Sequence, residues 1–477
     1  MFLQRIHRIG YRFLLILTFL FFSYLLRPTW ISIQSLFVTW YTLAGALFFF
    51  LLFLFGILAM SRWRVGNRQF LLLLFLVAFL LRLAWILAVP TEPFSDFKLM
   101  YESAVKASQG DYSFSRSPYY SQWVYQLGFT MYQALVVKIF GEGLLPLKIL
   151  NALYQTGIAL LLYGIGRHLF GEFAGRIAGW AYALYPSSIM MGSVLTNQHI
   201  ADFLFYAGFA LLMIKGLESR YAWIGIGLLL ALGDIMRPYG PVVLLAVGFY
   251  FLLHYVLQAK GNRWIYTGRL AGLLLLFYLL HVGISSWLIA MGVTSYPLGN
   301  RDPYWKFVEG FNVKSIGQYY PPDDEKLRDL PLEEKIKVEK EMIKERLSDR
   351  KAIVQLLQKK LEFLWGSPDQ AAWWSLRGLS LPRVERWEMR LERLFFFAAL
   401  LFGMASLIRL WRGEGDQKEA FFLLLILGYA AVHLLIEIQV RYRYFLIPGF
   451  LLFLGSGMRG VLYWCRLFFT RGKVKSL

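Results

Sequence analysis

The chain has 477 residues, of which 58% are apolar, 18% aromatic and only 17% charged. A soluble chain carries about a quarter charged residues, so a water-soluble multidomain protein is excluded. A single cysteine, Cys465, excludes a disulfide framework and a multi-thiolate metal site.

The apolar residues fall in long blocks such as Leu43–Met60, Phe70–Val89 and Leu270–Met291, the length that crosses ~30 Å of hydrocarbon. Phe13–Leu26 follows a basic leader without a small-residue cleavage site, and so reads as a retained helix rather than a signal peptide. Taken in order, the blocks predict about twelve spans. They fall near 12–26, 36–60, 69–89, 146–166, 173–190, 195–214, 221–236, 239–258, 269–290, 394–411, 420–437 and 443–462. The fold class expected is therefore an all-α polytopic membrane protein with external interfacial helices and a small external cap.

Under that count, alternate loops carry the basic residues. Arg62, Arg64 and Arg68, then Arg167 and Arg176, then Lys260, Arg263 and Arg269 fall on one side. So do Arg409, Arg412, Lys418 and the tail Arg459, Arg466, Arg471, Lys473 and Lys475. That alternation predicts cytoplasmic termini and places 90–145 and 291–393 outside. The net charge of +20 is thus a topology signal and a match to anionic lipid, not a nucleic-acid surface. Four segments follow: a two-helix hairpin at 1–68, a membrane core at 69–290, a cap at 291–393, and a three-helix segment with a basic tail at 394–477. Within 90–145, Trp123–Phe140 reads as an interfacial or re-entrant helix broken by Gly128. The cap shows a turn-rich run, Tyr296–Pro322, and two amphipathic patterns, Leu332–Ser348 and Lys351–Trp365. No P-loop, dinucleotide glycine fingerprint, His-Glu-x-x-His pair or Gly-x-Ser-x-Gly elbow is present.

Four external-side constellations carry chemistry. Ser95-Asp96-Phe-Lys98-Leu-Met-Tyr101 puts a carboxylate at the head of an amphipathic helix that stops at Gly110. Ser95 is its expected N-cap. Asp96 is a candidate base, although it could equally be a helix cap. Glu437-Ile-Gln439-Val-Arg441-Tyr442-Arg443 sets two arginines around a tyrosine, and arginine suits a phosphate at a poorly hydrated interface. Its bland alternative is interfacial anchoring. Asp234-Ile-Met-Arg237-Pro238 interrupts a helix, with Asp234 and Arg237 expected to satisfy each other and Arg237 a second phosphate candidate. Thr196-Asn197-Gln198-His199, with Asp202, is polar and compact, but two ligands three apart are weak evidence for metal.

The ordered series resembles the C-type integral-membrane glycosyltransferases, in the branch of protein O-mannosyltransferases and lipid A aminoarabinose transferases (glycosyltransferase family 39-like). It comprises Glu92-Pro-Phe-Ser-Asp-Phe-x-x-x-Tyr101, Lys138-Ile-Phe-Gly141, Arg167-His-Leu-Phe-Gly171, Leu184-Tyr-Pro186, Arg237-Pro238, Gly310-Phe-Asn312 and Arg441-Tyr-Arg443. The resemblance covers about 69–462 and leaves the hairpin before it unassigned. It implies transfer of a sugar from a polyprenyl-phosphate donor to a protein, lipid or glycan acceptor on the outer face of a bacterial plasma membrane. Asp96 matches the family's acidic base. Arg441 and Arg443 match the family's basic residues that hold the carrier phosphate, and Arg237 and Tyr442 are further expected donor-phosphate contacts. Lys98, Tyr101, Tyr119, Gln198, His199 and Asn312 are the expected substrate contacts. The family pattern often has Glu after the Thr where this chain reads Asn197. A single displacement with one base inverts the anomeric centre. A monophosphate donor met by arginines requires no metal, whereas a pyrophosphate donor would call for a divalent ion. The alternative from another class is a polytopic transporter or lipid-linked-sugar flippase, whose charged sites would sit near the midplane between repeats.

Overall fold

A computed structural model describes residues 2–258 and 261–474, with side chains through Cys465. Lys260 and Lys475, and the side chains of Arg466, Arg471 and Lys473, lie outside the described residues. The described residues contain helices and no strand. Among the described residues, seven helices are long and apolar enough to cross a membrane: Phe2–Leu36, Trp40–Ser61, Asn67–Ala88, Leu144–Phe170, Gly240–Leu257, Arg263–Ala290 and Pro382–Trp411. Gln198–Ile214, Ala222–Met236 and Ala420–Leu435 are shorter apolar helices.

Three sequence expectations change for identifiable reasons. The first helix covers Phe2–Leu36 rather than 12–26, because its basic leader packs instead of fraying. Tyr11 donates to Glu419, and Arg12 stacks over Trp411 at 5.0 Å. The expected span at 173–190 breaks into Glu172–Ala183 and Pro186–Met191, since the residue before proline avoids helical geometry. Fully buried Arg82 fills the break. It donates to the Tyr182 and Ala183 carbonyls at 3.1 Å and to Ser188 Oγ at 2.6 Å, satisfying acceptors that the helix end exposes. Gly128 does not break its helix. It sits inside Gln126–Phe140, where a Cβ would collide with the Ile235 carbonyl, so its missing side chain lets that helix pack closely on Ala222–Met236.

The main core forms where Leu144–Phe170, Glu172–Ala183, Pro382–Trp411 and the last helix pack together, with the first helix laid against Pro382–Trp411. A second apolar cluster, including Phe97, Met100, Val124, Leu127 and Trp374, lies under the Asp96–Ser108 helix. The cap has its own small core of Trp305, Val308, Leu327 and Met342. It is stitched to the chain before the last helix. Lys360 Nζ donates to the Gly310, Leu434 and Ile436 carbonyls at 2.8 Å each, and Ile438 N–H to Gly317 O at 2.8 Å. Three carbonyls use all three donors of an ammonium, so the cap is a fixed roof.

Candidate active site

Beneath the cap lies a cavity of about 460 Å³, the size that takes a small ligand. Its walls come from the head of the Asp96–Ser108 helix, the aromatic stretch 119–126, the helix break at 234–242, His281, the cap and the turn before the last helix.

Asp96 reaches this cavity because Phe97, Met100, Ala104 and Ala107 bury the opposite face of its helix. Lys148 Nζ donates to Thr91 O at 2.6 Å, and Thr91 Oγ1 to Ser375 O at 2.6 Å, pinning the approach. Ser95 does not cap the helix with its side chain. Its backbone sits at φ 53°, a left-handed conformation that costs about 1–3 kcal/mol outside glycine and clusters at functional sites. Asp96 is exposed and has no ion pair or side-chain hydrogen bond among the described residues. Gly110, at φ 86°, ends the helix as expected.

The cationic wall is built from two arginines in aromatic cages. Arg441 lies over Trp374 at 4.6 Å and Phe97 at 5.1 Å, and its Nε donates to Gln439 Oε1 at 2.6 Å. Arg237 lies over Tyr239 at 5.2 Å and Tyr442 at 5.5 Å, and its Nη1 donates to Asn197 Oδ1 at 2.7 Å. Each keeps a buried nitrogen without a hydrogen-bond partner: Arg441 Nη1 and Arg237 Nε. Burial lowers the Arg441 pKa, and repulsion from Arg237 adds to it, while Tyr442 and Asp96 act in the opposite sense. Such unsatisfied, charged donors are expensive unless something fills them.

A third cation, Lys306, comes from the cap helix Trp305–Gly310 and was not legible in the sequence. It is paired with Glu437, whose Oε1 accepts from Gln439 at 2.6 Å and whose Oε2 accepts from Tyr442 at 3.2 Å. Burial opposes both charges. Their attraction prevails, holding Lys306 above and Glu437 below its ordinary pKa. Nearby Glu309 is pushed up to about 9 by burial, with Glu437 adding to the shift.

The structure separates the remaining sequence candidates. Tyr119 and Tyr442 line the cavity with Asp96, Arg237 and Arg441. Arg443 does not line it. Arg443 is 1% exposed and donates to the carbonyls of Leu364 (3.1 Å) and Ser367 (2.7 Å) and to Glu392 (3.3 Å). Val440–Phe445 is a 3₁₀ turn, on which side chains two apart point to different sides. Asp234 does not pair with Arg237. It accepts from Gly240 N–H and lies 2.9 Å from His281 Nε2, because the break turns Arg237 away.

Gln198 supports the site from behind, donating to Arg441 O at 3.2 Å. His199 is buried between Gln155 (2.8 Å) and Met191 O (2.9 Å), as a hydrogen-bonding histidine. Lys98 pairs with Glu102 on the surface, Tyr101 donates to Glu142 O, and Asn312 donates to Asp323 within the cap at 2.8 Å. None of these five lines the cavity.

An all-helical bundle with a roofed cavity on one end is the architecture on which the comparisons bear. Residues 127–282 match the family model described as dolichyl-phosphate-mannose-protein mannosyltransferase. The match covers about a third of the chain, including the helix break that carries Arg237, and supports a C-type membrane glycosyltransferase. No curated protein matches the chain.

Proposed function

We propose that the cavity moves a sugar from a polyprenyl-phosphate carrier to an acceptor hydroxyl, on the external face of the membrane and with inversion. The observation that carries this reading is one uncommitted carboxylate, Asp96, sharing a single cavity with two half-buried arginines that each keep a buried nitrogen without a partner. In the step, Asp96 takes the proton of the acceptor hydroxyl as its oxygen bonds the anomeric carbon. The anomeric C–O bond to phosphate breaks, and the phosphate leaves with the electron pair. Arg441 and Arg237 meet the charge on the phosphate, with Lys306 as a third cation behind them. Caged guanidiniums are already oriented, so little reorganisation is needed when the charge develops. Two fixed cations suffice for a monophosphate, and the reading requires no metal.

The family description supports a lipid-linked sugar as donor and a protein as one class of acceptor. The test is to incubate the purified full chain with radiolabelled polyprenyl-phosphate hexoses and membrane extracts, then follow the label. Label moving to protein, lipid or glycan supports the reading. Label that stays on the carrier with every donor and extract overturns it.

A further inference from the structure

The first helix belongs to the hairpin that precedes the family-like region, and its far end builds a second site. At 35 residues it is about 52 Å long, well beyond the ~30 Å of hydrocarbon, so its last turns reach headgroup level. There, on the cap's side of the bundle, it meets the turn Glu362–Gly366. Gly366 makes the approach possible, since a Cβ on it would sit 2.7 Å from Pro28. Between the two lies a groove of about 380 Å³, separate from the active-site cavity.

The groove holds opposite charges that do not pair with each other. Arg27 makes no ion pair with any described residue. Glu362 accepts only neutral donors, Tyr24 Oη at 3.2 Å and Gln358 Nε2 at 3.0 Å. Ser32 Oγ is buried with no hydrogen-bond partner. Pro28, inside the helix, lacks the N–H that would take the Tyr24 carbonyl, which leaves an acceptor at the groove's edge. The cation, the hydroxyl and the exposed apolar side chain of Ile31 suit a phosphodiester above acyl chains. The carboxylate and the released carbonyl suit an ammonium that still has N–H donors.

We infer that this groove binds the headgroup of a zwitterionic phospholipid carrying a primary amine, of the phosphatidylethanolamine type. Arg27 and Ser32 take the phosphate, while Glu362 and the Tyr24 carbonyl take the ammonium. A glycerol headgroup offers Glu362 only neutral hydroxyl donors, with no charge to pair, and a trimethylated amine has no N–H to give. The lipid would brace the same 364–367 backbone whose carbonyls hold Arg443.

The test delipidates the full chain in detergent and titrates phosphatidylethanolamine, phosphatidylcholine and phosphatidylglycerol of matched chains, counting bound lipid by native mass spectrometry. The ethanolamine lipid should bind about tenfold more tightly than the other two, the worth of one charge-assisted hydrogen bond. Glu362→Gln should erase that preference, whereas Arg27→Gln should weaken all three lipids. Both side chains reach solvent, and unchanged lipid-free melting would verify that the variants fold. Equal binding of the three lipids by the unaltered chain would mean annular lipid only, and would overturn the inference. So would a preference that survives both substitutions. Neither outcome bears on sugar transfer, which is measured separately.

Discussion

The two sides of the Val440–Phe445 turn use the same residue to opposite ends. On the bundle side, Arg443 is surrounded by acceptors and by the Glu392–Arg393 pair, closed at 2.5 Å. On the cavity side, Arg441 has aromatic faces around it, a single side-chain bond and a nitrogen with none. Arg443 also leaves one nitrogen, Nε, without a partner, so position separates the two. Arg443 spends its Nη donors on the bundle's own carbonyls and on Glu392, whereas Arg441 lines the cavity with one side-chain bond. The difference separates anchor from site where residue type cannot.

Breaking the anchor should have the larger effect on stability. Arg443→Gln leaves Glu392 with one cation fewer and takes this donor from the Leu364 and Ser367 carbonyls, and should cost about 3–5 kcal/mol, read as a lower melting temperature in detergent. An Arg443→Gln variant as stable as the unaltered chain would erase the distinction.

Arg441→Gln should leave melting nearly unchanged and weaken binding of a polyprenyl-phosphate analogue by about ten- to a hundredfold, a contact of about 1.5–3 kcal/mol. Arg441→Lys should recover only part, since an ammonium lacks the planar fork. If Lys restores binding in full, the arginine is an interfacial anchor.

The smallest effect is expected at Glu309, whose raised pKa makes it neutral in the folded cap at pH 7. The folded form holds this proton more tightly than the unfolded chain. Stability should therefore fall as pH rises from the ordinary carboxylate range toward about 9. Glu309→Gln should flatten that decline, and an identical pH profile in the variant would show that Glu309 is not its source.

Much of this fold was legible because hydrocarbon imposes long apolar blocks, and Asp96 and Arg441 were legible because charge at such a boundary stands out. Arg443 was misplaced because sequence spacing names both arginines without saying which side of a 3₁₀ turn each takes. Lys306 was missed because it lies in the turn-rich Tyr296–Pro322 run, where no periodicity assigns a face. His281 was hidden in an apolar helix, its partner Asp234 lying 47 residues earlier on another. The break at Tyr185-Pro186 lay inside an expected span at 173–190, and the Arg82 that fills it comes from a helix a hundred residues away.

The most direct measurement loads labelled polyprenyl-phosphate hexose onto the unaltered chain and onto Asp96→Asn, then follows bound donor and transferred sugar in the same samples. Asn keeps the shape and can still cap a helix, so only proton removal is lost. Donor occupancy should match in the two proteins while transfer in the variant falls by about 10²–10⁴. Transfer at the unaltered rate with equal occupancy would contradict the assignment of Asp96 as the base.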